Sequence, residues 1–130
     1  MANLDEFPVG WFYIQCPTRQ NQVLTVANMT MQPLTRVELR PKRDEKHQLW
    51  CYHEGHLVNK YSGCVLGVEK QKISDATVYQ IRRPNDNKPL WQYKDKQLVF
   101  LQDYALNDLA VPRLVEKQNG CIYQLLSADF

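Results

Sequence analysis

The sequence predicts an all-β domain built from three copies of a unit of about forty residues. Two observations favour this fold class: a block of residues recurs around two tryptophans, and short β-branched segments alternate with turn-forming residues. With 130 residues, of which 44% are hydrophobic, the chain has room for one core. Residues 1–130 are therefore expected to form a single domain.

The repeat is clearest in two blocks that align without gaps, Trp50 to Leu57 and Trp91 to Leu98. In both blocks a tyrosine follows the tryptophan at +2, an acidic residue at +4 and a leucine at +7. In the third copy Tyr123 takes the place of the tryptophan. The predicted copies span about 10–50, 51–91 and 92–130, and their large aromatic residues are expected to share one core.

Each copy contains short segments rich in β-branched and aromatic residues, bounded by Pro, Gly, Asn and Asp. This spacing is typical of a barrel or sandwich rather than of βαβ units. The leucines of 103–109 would also suit a helical turn, but Pro112 limits such a helix. The predicted strands are 11–16, 23–26, 36–40, 56–59, 65–68, 77–81, 97–101 and 111–115.

The charge pattern argues against several classes of partner. Sixteen basic residues against fourteen acidic ones give a net charge of +2, and the one basic cluster, within 36–46, is interrupted by acids. A solvated turn explains this cluster better than a nucleic-acid surface does.

The first residues contain acids and a proline instead of a signal sequence, and no apolar run is long enough to span a bilayer. We expect a soluble chain, cytoplasmic or released by a non-obvious route, without membrane insertion.

No pattern of catalytic or cofactor-binding residues is apparent. The three serines lie in no nucleophile motif and the five glycines form no phosphate-binding loop, so neither an enzyme nor a cofactor is predicted. Cys51, His53, His56 and Cys64 lack the paired spacings of a zinc module, and the two histidines are expected to decorate a hairpin that turns at Glu54. The four cysteines are expected to be mostly free thiols.

One motif adds a family resemblance. Gln48-Leu-Trp50 closes the first copy, Pro89-Leu-Trp91 is its degraded equivalent, and Val-Leu-x-Val boxes at 23–26 and 65–68 precede them. A Gln-x-Trp in register with a repeat of about forty residues resembles the R-type (ricin-B-like) lectins, including compact mollusc lectins. The resemblance implies a β-trefoil with three pseudo-symmetric repeats. Within it, Trp50, Trp91 and Tyr123, with Leu49, Leu90 and Ile122 beside them, are expected to be core.

The resemblance also implies where sugars bind. In that family a repeat forms a shallow pocket from an Asp at the third box position, an aromatic residue, and polar residues before the Gln-x-Trp. This chain has Thr25, Gly67 and Asn107 at the box positions. The first copy keeps the most hydrogen-bonding residues, the third follows, and the second is poorest. The candidate carbohydrate-binding residues are Thr25, Glu38, Arg40, His47 and Gln48 in the first copy, and Asn107, Asp108, Arg113 and Asn119 in the third.

The function implied is that of a lectin for glycans ending in galactose or N-acetylgalactosamine, on glycoproteins or on glycolipids such as ganglio-series headgroups. The alternative is a β-trefoil that binds proteins, such as a protease inhibitor, because one fold serves many functions. A homodimer is expected, since weak sites gain from multivalency. Some of the aromatic residues are expected to be exposed for such an interface, among Trp11, Phe12, Tyr61, Tyr79, Tyr104 and Phe130.

Overall fold

The structure, a computed structural model, describes residues 6–68, 73–85 and 90–128. These parts contain twelve short strands and four three-residue 3-10 helices, and none of their helices is long and apolar enough to cross a membrane. The strands are β1 (Phe12–Cys16), β2 (Gln22–Val26), β3 (Thr35–Arg40), β4 (Trp50–His53), β5 (His56–Asn59), β6 (Val65–Gly67), β7 (Tyr79–Ile81), β8 (Trp91–Lys94), β9 (Gln97–Phe100), β10 (Tyr104–Leu106), β11 (Leu114–Glu116) and β12 (Gln124–Ser127).

Six of the strands form a ring. Strand β1 pairs with β12 and β4, β4 pairs with β5, and β8 pairs with β9, all antiparallel. Backbone hydrogen bonds join the remaining neighbours: the amide of Leu90 donates to Gly55 at 3.2 Å, and the amide of Tyr123 donates to Lys96 at 2.7 Å. Fully buried side chains of these strands, among them Phe12, Ile14, Leu57 and Leu98, belong to the main hydrophobic core.

The other six strands form three hairpins, β2–β3, β6–β7 and β10–β11, that cap one end of the ring. Each hairpin is bonded to the next. Strand β3 pairs with β7, an isolated bridge joins Thr77 to Arg113, and the amide of Leu39 donates to Ala110 at 2.8 Å. The result is a three-fold pseudo-symmetric arrangement in which each forty-residue copy supplies two ring strands and one hairpin.

Three large side chains fill the space between the ring and the cap. Trp50, Trp91 and Tyr123 are completely buried, as predicted, and each donates a hydrogen bond to a backbone carbonyl of its own copy. The donor and acceptor pairs are Trp50 Nε1 with Leu24 O at 3.1 Å, Trp91 Nε1 with Leu66 O at 2.9 Å, and Tyr123 Oη with Asn107 O at 2.6 Å. Each side chain thereby buries apolar area without leaving its polar atom unsatisfied.

The predicted strands agree with the observed ones to within two or three residues, but β4, β8, β10 and β12 were not among them. Ile122 was wrongly predicted as core: it is 47% exposed, because it lies in the loop before β12, where the neighbouring Tyr123 takes the buried position. His56 does not decorate the hairpin turn but is fully buried, while His53 opposite it is exposed.

The aromatic residues expected at the surface are mostly not exposed. Phe12 is fully buried in the core, because its strand belongs to the ring. Trp11, Tyr61, Tyr79 and Tyr104 are only half-buried, and Phe130 lies outside the described residues. All four cysteines are free in the structure. Exposed aromatic rings therefore give no support to a dimer interface.

Candidate functional site

A pocket of about 320 Å³ lies in the first copy, between the β2–β3 hairpin and the loop that leads to Trp50. It contains all five candidate residues of that copy: Thr25, Glu38, Arg40, His47 and Gln48. Two strands and one loop therefore bring together residues that are up to twenty-three positions apart in the chain. The remaining lining residues are Val26, Ala27, Asn28, Met29, Pro41, Arg43 and Glu45.

The floor of the pocket is set by the register of β2 and β3. Thr25 lies directly opposite Glu38, and Arg40 lies on the same face of β3 two residues further on. The pocket aspartate of the R-type lectins would occupy the position of Thr25. In this chain the carboxylate of the pocket comes from the cross-strand partner instead.

The carboxylate of Glu38 is held in place by two arginines. Glu38 is only 6% exposed, Arg40 donates to its Oε1 through both Nε and Nη2, and Nε of Arg36 lies 3.4 Å from its Oε2. Both guanidinium groups are more than half exposed to solvent. Each carboxylate oxygen has more than one acceptor position, so the group can still accept hydrogen bonds from a ligand.

Gln48 shapes the loop that forms one wall. Its Nε2 donates to the carbonyl of Pro41 at 2.8 Å and to Oγ1 of Thr25 at 3.3 Å, and its Oε1 accepts from the amide of Arg43 at 2.8 Å. Oγ1 of Thr25 in turn donates to the carbonyl of Val23 at 2.9 Å. Both side chains are nearly buried and already hydrogen-bonded, which suits a positioning role at the pocket.

His47 is the most enclosed titratable group of the wall. Its side chain is 8% exposed, and its Nδ1 lies 3.4 Å from Oε2 of Glu45 without forming a hydrogen bond to any described residue. Burial lowers the pKa of His47, and the nearby carboxylate of Glu45 opposes this only in part. At neutral pH the imidazole of His47 is therefore neutral, and its Nδ1 is buried in the wall of the pocket.

This pKa shift predicts that the fold loses stability on mild acidification. The folded-state pKa of His47 is lower than that of the unfolded chain, so the unfolded state binds the proton first. Stability should fall as the pH drops through about 6.5. The melting temperature of the wild type should fall by a few degrees more between about pH 7 and pH 5 than that of His47→Gln. An equal fall in melting temperature for the two proteins would contradict the lowered pKa of His47.

Besides Glu45, two further polar pocket residues were not predicted from the sequence. Asn28 has a left-handed backbone (φ 59°), a conformation that Asn tolerates well, and it lines the rim. The guanidinium of Arg43 also lines the rim and makes no hydrogen bond or ion pair with the described residues. Arg43 was interpreted as part of a solvated turn, because the run of charges gives no sign that Gln48 folds this loop over a pocket.

The candidate residues of the third copy are not brought together in a comparable way. Oδ1 of Asn107 accepts from the amides of Leu109 and Arg113, at 3.4 and 2.9 Å, and so closes a local turn. Asp108 faces the first copy, where its Oδ2 accepts from Thr18 at 2.9 Å. The remaining two candidates are exposed: Arg113 pairs with Asp75 at 3.1 Å, and Asn119 ends a 3-10 helix.

The second copy has no polar floor at the equivalent place. Gly67 occupies the box position, and a Cβ added there would lie 2.5 Å from Cδ1 of Ile81, so the side chain of Ile81 already fills this space. The wall equivalent to Gln48 would come from Pro89, which lies outside the described residues. Among the described residues, the first copy therefore offers the most complete polar pocket.

The arrangement of the chain matches several solved structures. The mdaA-1 domain is 20% identical over 98% of this chain and 96% of its own, with a TM-score of 0.79. A designed three-fold symmetric protein, ThreeFoil, is 17% identical over 91% of this chain and 99% of its own, with a TM-score of 0.73. The β-trefoil lectin of the Vibrio vulnificus hemolysin/cytolysin is 13% identical over 92% of this chain and 96% of its own, with a TM-score of 0.77.

The protein is a β-trefoil with the fold of the R-type lectins. The C-terminal domain of the earthworm lectin also matches this β-trefoil, at 16% identity over 91% of this chain and 98% of its own, with a TM-score of 0.74. No protein-family model and no curated protein matches the sequence. The predicted fold class is thus confirmed, although identity in sequence to these structures is low.

Proposed function

We propose that this β-trefoil binds glycans that end in galactose or N-acetylgalactosamine, through the pocket of its first copy. The observation that carries the proposal is the buried carboxylate of Glu38, fixed by Arg36 and Arg40 at the floor of a solvent-open pocket. A carboxylate with spare acceptor positions suits the paired hydroxyls of a hexose. The same pocket contains the neutral imidazole of His47, and the unpaired guanidinium of Arg43 adds N–H donors.

The ligands of the matching structures support a sugar as the occupant. The earthworm lectin domain was solved with 6'-sialyllactose and, in another structure, with GalNAc. The Macrolepiota procera lectin was solved with lactose, and the Vibrio domain with N-acetyl-D-lactosamine. Each of these sugars contains galactose or N-acetylgalactosamine. We carry this preference over to the present chain as part of the proposal.

The pocket should bind a single sugar ring weakly. The described residues that line it include no phenylalanine, tyrosine or tryptophan, so they offer none of the stacking that such a ring would provide on the apolar face of a hexose. We expect a dissociation constant of about 1 mM for galactose, and tighter binding of oligosaccharides that also reach Arg43 and Asn28. Glycoproteins and ganglio-series glycolipids would present such extended chains.

A glycan array followed by titration calorimetry tests this proposal. We expect signals on structures ending in galactose or N-acetylgalactosamine, and competition of the strongest one by soluble lactose. A matched array of glucose- and mannose-terminated glycans serves as the control and should remain silent. If no galactose-terminated glycan binds, the proposal is wrong. A protein-binding role, the alternative function, would then be the one to test.

A homodimer remains part of the proposed function, because weak single sites gain affinity when two of them bind one surface. Sedimentation at micromolar concentration should give about twice the chain mass of 15.3 kDa. The control is the same measurement with excess lactose, which should leave the mass unchanged. A monomer that still agglutinates cells would contradict the dimer.

A further inference from the structure

The loop between β2 and β3 exposes three large apolar side chains within six residues. Met29 is 50% exposed, Met31 is 57% exposed and Leu34 is 52% exposed. We call these three residues the β2–β3 tip. Single exposed apolar residues are common, but a cluster of them on one loop is a feature of contact surfaces.

The backbone of this loop is firmly anchored, so the exposure of the tip is not the result of a frayed loop. Gln80, a fully buried residue of β7, donates from Nε2 to the carbonyls of Thr30 at 2.9 Å and of Gln32 at 2.8 Å. Its Oε1 accepts from Oγ of Ser62 at 2.7 Å, and its own carbonyl accepts from the amide of Leu34 at 2.7 Å. A buried amide with every polar atom bonded holds the loop in one conformation.

The tip is continuous with the candidate sugar pocket. Met29 belongs to the tip and also lines the pocket, together with Asn28, Arg40 and Arg43. Arg36 follows the tip on β3 and is more than half exposed. A sugar in the pocket would therefore lie next to the tip, through Met29, and next to the arginines of the pocket.

Resting on the proposed function, we propose that the β2–β3 tip contacts the headgroup boundary of a lipid bilayer whose glycolipid occupies the pocket. Apolar side chains next to arginines match this boundary, where lipid phosphates lie above the start of the acyl chains. Three side chains are too small a surface for a stable protein interface of about 800 Å² per partner. They suffice for a shallow contact that supplements a glycan already bound, and no segment needs to enter the bilayer.

Co-sedimentation with vesicles tests the proposal. The probe is lactosylceramide in vesicles of phosphatidylcholine and phosphatidylserine, compared with lactose coupled to albumin on beads. The variant is Met31→Gln combined with Leu34→Asn, because Asn accepts the left-handed backbone of position 34 (φ 65°). The matched control is Leu109→Gln, a residue of the third copy that is 47% exposed.

We expect the tip variant to bind the vesicles about tenfold more weakly than the wild type, while its binding to the beads changes less than twofold. The control should resemble the wild type on both surfaces. Equal losses on vesicles and beads, or no loss on either, would overturn the proposal; an equal loss would place the tip in contact with the glycan or a protein. If the wild type binds neither surface, the proposed function itself fails.

Discussion

Replacing Glu38 by Gln is expected to weaken glycan binding by about a hundredfold. The negative charge that strengthens hydrogen bonds from sugar hydroxyls would be lost, and the ion pair that holds Arg40 at the pocket floor would become a weaker neutral hydrogen bond. The fold should be affected little, because the guanidinium groups of Arg36 and Arg40 are already more than half exposed and can be solvated by water. Titration calorimetry with the strongest ligand from the array measures the change.

The matched control is Glu116→Gln, which makes the same chemical change at an exposed carboxylate of β11. Its affinity should stay within twofold of the wild type. Asp108→Asn tests the third copy in the same way. If Asp108→Asn removes binding and Glu38→Gln does not, the sugar lies in the third copy and the assignment to the first is wrong.

Replacing Trp91 by Ala should cost about 3–5 kcal/mol of unfolding free energy. Trp91 is fully buried between the ring and the cap, packs against Phe100 with ring centroids 4.8 Å apart, and satisfies the carbonyl of Leu66. Its removal would leave a large cavity together with an unpaired buried carbonyl. Because small domains have only about 5–15 kcal/mol of stability, the variant should be close to unfolding at room temperature.

The comparison is Trp11→Ala, the same substitution at a half-buried tryptophan whose ring lies 5.3 Å from Nζ of Lys60. We expect less than half the loss found for Trp91, since water already reaches the ring and no cavity would form. Urea denaturation of both variants gives the two free energies. Similar losses would mean that Trp91 does not have the central place in the core that its burial indicates.

Much of the fold could be predicted because the same requirement for burial recurs at equivalent positions of the repeated copies. Trp50 and Trp91 stand at equivalent positions of two copies, and a large apolar side chain there must be buried in each of them. The third copy was harder, since Tyr123 replaces the tryptophan and its copy is shorter. Strand β12 after it was missed because Gln124–Ser127 is largely exposed or half-buried and shows no clear alternation.

The candidate site was predicted as a set of residue types but not as a geometry. The sequence indicated polar capacity near Glu38 and His47, and the structure places both in one pocket. It indicated a second, lower-ranked set of polar residues at Asn107 and Asp108, yet those groups are engaged with a local turn and with Thr18. Competition between a ligand and the protein's own hydrogen-bond partners depends on neighbours distant in the chain, which a local motif does not contain.

The sequence by itself determined the three-fold repeat, the all-β class and the aromatic core. These features follow from large apolar residues that recur at regular intervals along the chain and must be buried. Only the tertiary structure decided which polar groups remain free to bind a ligand. The pairing of Thr25 with Glu38, the folding of the loop by Gln48 and the outward position of Met31 all result from contacts between segments. Whether a residue is buried depends largely on its own side chain, whereas the residues that meet in a binding site depend on how the strands pair.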